Sequence, residues 1–150
     1  MNFFEDLLKD LASLMDLPLH VDHRGVCCLR VDDQFEVQME VGKKNDLIIL
    51  AFINELGPGK FREEVLKEGL KANNQLLPGG IVSFSGKTNQ LVIYKRLPNE
   101  LLNAQSVLET LSSLIDYATQ WLVSLKEGKT APAFLVTRSA SSGLPFGMKL

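Results

Sequence analysis

Cysteine and histidine are nearly missing from this sequence, with two of each in 150 residues. The cysteines, Cys27 and Cys28, are chain neighbours; on a strand they point to opposite faces, so neither is placed to bridge the other and no disulfide framework is expected. His20 and His23, with Asp22 between them, also fall on opposite faces of an extended chain, and no further histidine completes a metal site. Serine or cysteine nucleophile schemes lose support for the same reason, although a fold could carry a histidine close to Cys27 or Cys28. Long apolar runs are lacking as well: the longest covers residues 47–53, far short of the roughly 20 that a membrane helix needs. Neither sign of charge dominates, since 16 basic residues face 18 acidic ones for a net charge of -2. The chain as a whole therefore offers no positive field for phosphate, and nucleic acid is not the expected partner. Glu5 and Asp6 stand where a secretory or mitochondrial leader would carry bases, which makes the cytoplasm the expected location.

A composition of 45% hydrophobic and 23% charged residues fits one ordinary domain. A chain of this length can bury roughly two-thirds of its unfolded surface, enough for a core without metal or disulfide staples. Residues 2–15 place Phe3, Phe4, Leu7, Leu8, Leu11, Leu14 and Met15 on one helical face, with Asn2 as cap and Pro18 as stop. From Gly25 the period changes to two. Residues 25–31 and 35–41 read as strands joined at Asp32-Asp33-Gln34, and in the second Phe35, Val37, Met39 and Val41 alternate with Glu36, Gln38 and Glu40. Residues 47–53 are apolar throughout, predicting a central strand covered on both faces.

Helical spacing returns over residues 61–77 and ends at Pro78-Gly79-Gly80. Gly69 inside that helix costs about 1 kcal/mol relative to alanine, so Gly69 and Ala72 are expected to form a small-residue stripe on which another element approaches closely. Residues 81–85 and 90–96 make a second hairpin. From Asn99, a candidate cap, an apolar seam through Leu101, Ala104, Leu108, Leu111, Ile115, Ala118, Leu122 and Leu125 predicts a helix about 40 Å long. Val107, Leu114, Tyr117 and Trp121 widen that seam, so the helix should lie against a sheet. The expected fold is α+β in the order α-β-β-β-α-β-β-α, with a twisted, mainly antiparallel five-stranded sheet packed by helices.

Residues 1–128 form the expected domain, and residues 129–150 read as a flexible basic tail. The tail holds three bases and no acid, leaving 13 bases and 18 acids, or -5, on the body. Gly86-Lys87-Thr88 has the end of a phosphate-binding loop but not its upstream glycine, and strand follows where a helix is required; a hairpin turn accounts for it. Cys27 and Cys28 read as small strand residues, and Asp32-Asp33 and Glu63-Glu64 as turn and helix-start acids. No catalytic residue, cofactor site or metal site is assigned. What remains is apolar surface without chemistry, which points to protein recognition.

Several local patterns, taken in order, resemble the class I type III secretion chaperones of the Tir-chaperone (CesT-like) family. They are Gly25-Val26-Cys27-Cys28-Leu29-Arg30-Val31-Asp32, then Leu47-Ile48-Ile49-Leu50-Ala51, then Leu66 to Asn73 leading to Leu76-Leu77-Pro78-Gly79-Gly80, and last Leu91-Val92-Ile93-Tyr94 before the long helix. The resemblance covers about residues 3–125 and contains no catalytic signature. It implies a cytoplasmic homodimer that is not an enzyme and that holds the N-terminal chaperone-binding segment of one or more secreted effectors ready for secretion without ATP, with a secretion ATPase as a further partner. It also implies a dimer interface on Val65, Leu66, Gly69, Leu70, Asn73, Ile81 and Ser83, and an effector-binding surface on Phe4, Leu8, Leu11, Leu19, Phe35, Val37 and Met39. Two other readings stand beside it: a regulatory or assembly protein acting as a heterodimer subunit on the same fold, and a small-ligand or thiol enzyme using Cys27, Cys28 or His23.

Overall fold

The computed structural model describes residues 3–75 and 79–133. The Asn2 cap, the last two residues of the helix expected over 61–77, its Pro78 stop and the tail beyond residue 133 lie outside the described residues. Among the described residues, β1 (Cys27–Val31), β2 (Phe35–Val41), β3 (Leu47–Glu55), β4 (Ile81–Ser85) and β5 (Gln90–Leu97) form one antiparallel sheet in the spatial order β1-β2-β3-β5-β4. Helices α1 (Phe3–Met15), α2 (Lys60–Asn73) and α3 (Ala104–Lys126) complete the expected α+β order. Helix α3 lies over β3 and β5 and packs against α1, while α2 runs along β4.

The sheet keeps the period-two logic of its sequence. Phe35, Val37 and Met39 of β2 are buried, and register carries their row across Ala51 and Ile49 of β3 to Ile93 of β5 and Val82 of β4. One strand differs from expectation. Although every residue from Leu47 to Ile53 is apolar, only Leu47, Ile49, Ala51 and Ile53 are buried, and Ile48, Leu50 and Phe52 alternate with them half-exposed. The helices cover one face of the sheet, so the uniform apolarity of β3 is not explained by packing within the chain.

Helix α3 also differs in detail. A short 3-10 turn occupies Asn99–Leu101, and the cap is Asn103, whose Oδ1 accepts from the Ser106 N–H at 2.9 Å while Ser106 Oγ accepts from the Asn103 N–H at 3.3 Å. This reciprocal box satisfies two otherwise unpaired donors at the helix start. The buried face is centred on Val107, Leu111, Leu114, Ala118, Trp121 and Leu125, while Leu108 and Ile115 are half-buried and Leu101 is exposed. At the other end Gly128 takes φ 78, the Gly128 N–H donates to Leu125 O and the Lys129 N–H to Ser124 O, both at 3.0 Å. That pair of bonds is a Schellman stop. Beyond it the chain folds back, and the buried Ser124 Oγ donates to Ala131 O at 2.6 Å.

The glycine inside α2 has its packing reason within the chain. Val65, Gly69 and Ala72 are buried toward β4, and a Cβ at Gly69 would stand 2.6 Å from Val82 Cγ1. Valine is branched at Cβ and cannot swing away cheaply. Gly69→Ala is therefore expected to lower stability by about 1 kcal/mol in a denaturant titration, because overpacking of about 1–3 kcal/mol outweighs a helix gain of about 1 kcal/mol. A stabilised variant would show that Val82 yields.

Candidate partner-binding surface

Two surfaces follow from this architecture. The first is the sheet face away from α1 and α3. There the register aligns Gln38, Leu50, Tyr94 and Ile81 in one row and Glu36, Phe52, Val92 and Ser83 in the next. Leu50, Phe52 and Tyr94 are half-buried, Val92 is buried and Ile81 is 46% exposed, so a partly accessible apolar strip crosses the central strands and ends at β4. Toward β1 the same face turns polar. A concavity of about 690 Å³ opens there, with Arg30, Glu36, Gln38, Phe52, Lys87 and Gln90 among its lining residues. The Gly86-Lys87-Thr88 segment is the β4–β5 turn that contributes to this rim, with no helix start behind it.

The second surface is the side of α2 that runs beside β4. Arg62, Leu66, Leu70 and Asn73 recur at spacings of four, four and three and share one stripe of the helix. Its ends touch β4, since the Arg62 guanidinium lies 5.0 Å from the Phe84 ring centroid and the Asn73 carboxamide bonds to the Val82 backbone. Leu66 and Leu70 thus stand along that strand. Leu70, at 68%, is the most exposed of the large apolar side chains among the described residues.

Of the residues expected at a dimer interface, Leu70 and Ile81 are exposed, Leu66 and Ser83 are half-buried, Asn73 is half-buried and bonded to the Val82 backbone, and Val65 and Gly69 are turned into their own chain's packing. Within the chain, Gly69 is approached by Val82 of β4. Of the residues expected to bind a partner through the first elements, Leu19 is half-buried, and Phe4, Leu8, Leu11, Phe35, Val37 and Met39 are core side chains. The exposed apolar side chains of the N-terminal region are instead Phe3, Leu14 and Leu17. Sequence reasoning missed Ile48, Leu50 and Phe52 as surface residues because an all-apolar strand gives no sign of which half is covered.

The groups considered for chemistry are occupied by structure. The Asp22 carboxylate accepts from the Val26 N–H at 3.1 Å and the Arg24 N–H at 2.8 Å and pairs with the Arg24 guanidinium at 2.9 Å, which together hold its carboxyl below the usual carboxylate range. Asp32 and Asp33 both take positive φ in the β1–β2 turn, a conformation that short polar side chains tolerate. Among the described residues no three histidine, cysteine or acidic side chains gather in a metal-binding arrangement. Burial pushes the Cys27 thiol up, and burial followed by the Glu36 carboxylate does the same for the exposed Cys28. Alkylation at neutral pH should accordingly modify Cys28 no faster than a free cysteine and leave Cys27 unmodified until the chain unfolds. Rapid labelling of either in the folded protein would revive the thiol-enzyme reading.

Comparison with known proteins gives the surface a context. Residues 6–122 match the Tir chaperone protein (CesT) family. Among solved structures, the HopA1–SchA chaperone–effector complex contains a chain of similar fold, with 20% identity over 80% of this chain and 93% of that one and a TM-score of 0.67. A chain of the ExsC–ExsE complex matches over 81% of this chain and 95% of its own, with 22% identity and a TM-score of 0.68. A chain of the ExoT–SpcS complex from Pseudomonas aeruginosa matches over 79% and 97%, with 21% identity and a TM-score of 0.58. At these identities the likeness is one of fold. No curated protein sequence matches the chain.

Proposed function

The chain belongs to the Tir chaperone (CesT) family, and on that premise we propose that it is a type III secretion chaperone that binds the N-terminal chaperone-binding segment of one or more secreted effectors and keeps them secretion-competent without ATP. The observation that carries this reading is the uncovered sheet face: Ile48, Leu50, Phe52 and Tyr94 form an apolar strip that the chain's own helices leave open. An extended client can lay apolar side chains on such a strip, where pockets between rows supply selectivity, and its main chain adds affinity where it also pairs with the β1 edge of the sheet. Phe3, Leu14 and Leu17, on and just after α1, together with Leu19 offer a separate apolar area to a client that wraps past the sheet, and Phe4, Leu8, Leu11, Phe35, Val37 and Met39 form the core between the two. In this reading the protein is a non-enzymatic homodimer of the cytoplasm, joined along Leu66, Leu70, Ile81 and Ser83, and it hands its client to the secretion machinery, with a secretion ATPase as the receiving partner. No helix among the described residues is long and apolar enough to cross a membrane.

The test is capture of native partners on the tagged full chain, with and without ATP depletion, followed by proteolytic mapping of what is bound. The reading expects one or a few secreted proteins held through their first ~100 residues, since an unfolded segment of that size can wrap a large surface. Capture unaffected by ATP depletion supports the ATP-independent part. Recovery of metabolic enzymes alone, or of no partner, would count against the whole.

A further inference from the structure

The two edges of the sheet are unlike. β1, at one edge, carries Arg30, whereas β4, at the other, reads Ile81-Val82-Ser83-Phe84-Ser85, with no charge and no proline. A strand edge of that composition is a template for pairing with another chain unless something covers it. Within the sheet Val82 is registered against Ile93 of β5. Its own N–H and C=O are both met by one side chain from α2: the Val82 N–H donates to Asn73 Oδ1 at 2.8 Å, and Asn73 Nδ2 donates to Val82 O at 2.9 Å. A carboxamide used this way offers one acceptor and one donor, as the peptide group of a neighbouring strand would. Gly69, one helical turn earlier, sets the reach by letting α2 settle onto the Val82 side chain.

We propose that Asn73 is an edge guard: by occupying the Val82 backbone it stops a second copy of this chain from adding to the sheet through β4. The occupant it excludes is β4 of that second copy, because an uncharged, β-branched and aromatic strand pairs readily with itself in antiparallel register. The α2–β4 surface is thereby kept for contacts made by side chains, and the sheet ends at β4.

Asn73→Ala removes both hydrogen bonds with little disturbance of the helix, and Asn73→Ser leaves a hydroxyl that can satisfy one of the two groups. Light scattering over a wide concentration range should show wild-type protein at constant mass and the alanine variant growing with concentration, the serine variant less so. Hydrogen exchange at the Val82 amide should be faster than wild type in dilute alanine variant and become protected again as it associates. A merely structural hydrogen bond would give the first effect without the second. Adding Ser85→Lys, which charges the edge strand outside the residues proposed for the dimer, should return the alanine variant to wild-type mass. Should the alanine variant fail to fold, the serine variant carries the same test. Either folded variant holding wild-type mass at every concentration, with Val82 exchange raised independently of concentration, overturns the proposal.

Discussion

A chain carrying Trp121→Ala is expected to lose about 3–5 kcal/mol of stability, the range for truncating a fully buried large aromatic side chain. Against a typical total of about 5–15 kcal/mol, that removes a large share of what keeps the domain folded. Trp121 has no exposed surface and sits on the face of α3 turned to the sheet. Its ring meets Tyr117 edge-to-face, with centroids 6.5 Å apart and planes at 86°, an arrangement that adds attraction beyond area burial. Tyr117 in turn lies so close to Gly79 that a side chain there would collide with it. The indole thus backs the contact between α3 and the segment entering β4, and its loss leaves a cavity that rigid neighbours cannot fill. Trp121 is the sole tryptophan, so the titration is followed by far-ultraviolet circular dichroism, not by intrinsic fluorescence. Trp121→Phe keeps a ring in the site and should lose less. An alanine variant within about 1 kcal/mol of wild type would mean that α3 does not anchor the core through this residue.

Legibility in the sequence followed periodicity. In β2, apolar and polar residues alternate cleanly, and the buried row came out as Phe35, Val37 and Met39. The long helix was legible as an element because its apolar residues repeat over many turns. Its orientation was less so, since a broad apolar face does not mark its own centre, and the buried line lies toward Val107, Leu114 and Trp121 instead of Leu108 and Ile115. Asn99 and Asn103 are both good caps by residue type. Only Asn103 has a serine three residues on to close the box, and the chain chose it.

The candidate surface was harder to read for a physical reason. Apolar side chains that bury inside a chain and those that bury against a partner look alike in sequence, because both leave water. Phe4, Leu8 and Leu11 took the first role, whereas Leu50 and Phe52 were left half-buried and Leu70 exposed. Gly69 signalled close approach correctly, but a glycine does not name what approaches. Asn73, a polar residue at a helix end, had no pattern at all to reveal that it would pair with a strand nine residues on.

Leu70→Glu should abolish self-association while leaving the fold intact. Leu70 is 68% exposed in the single chain, and substitutions at such positions usually change stability by less than about 0.5 kcal/mol. In a dimer joined along α2 and β4 the same side chain would be buried, and a glutamate there would have to give up its hydration without a partner charge. A penalty of about 3 kcal/mol corresponds to a roughly 100-fold weaker association, enough to convert a dimer to monomers at the concentrations used for light scattering. Ile81→Glu, on the adjoining strand, should act in the same direction. Val123→Glu is the control: Val123 is also exposed but lies on α3, so its charge should leave the association unchanged. Circular dichroism on all three separates lost association from lost folding. If folded Leu70→Glu protein keeps the wild-type mass, the interface lies elsewhere. A wild-type chain that is itself monomeric would remove the homodimer and favour a subunit that pairs with a different chain.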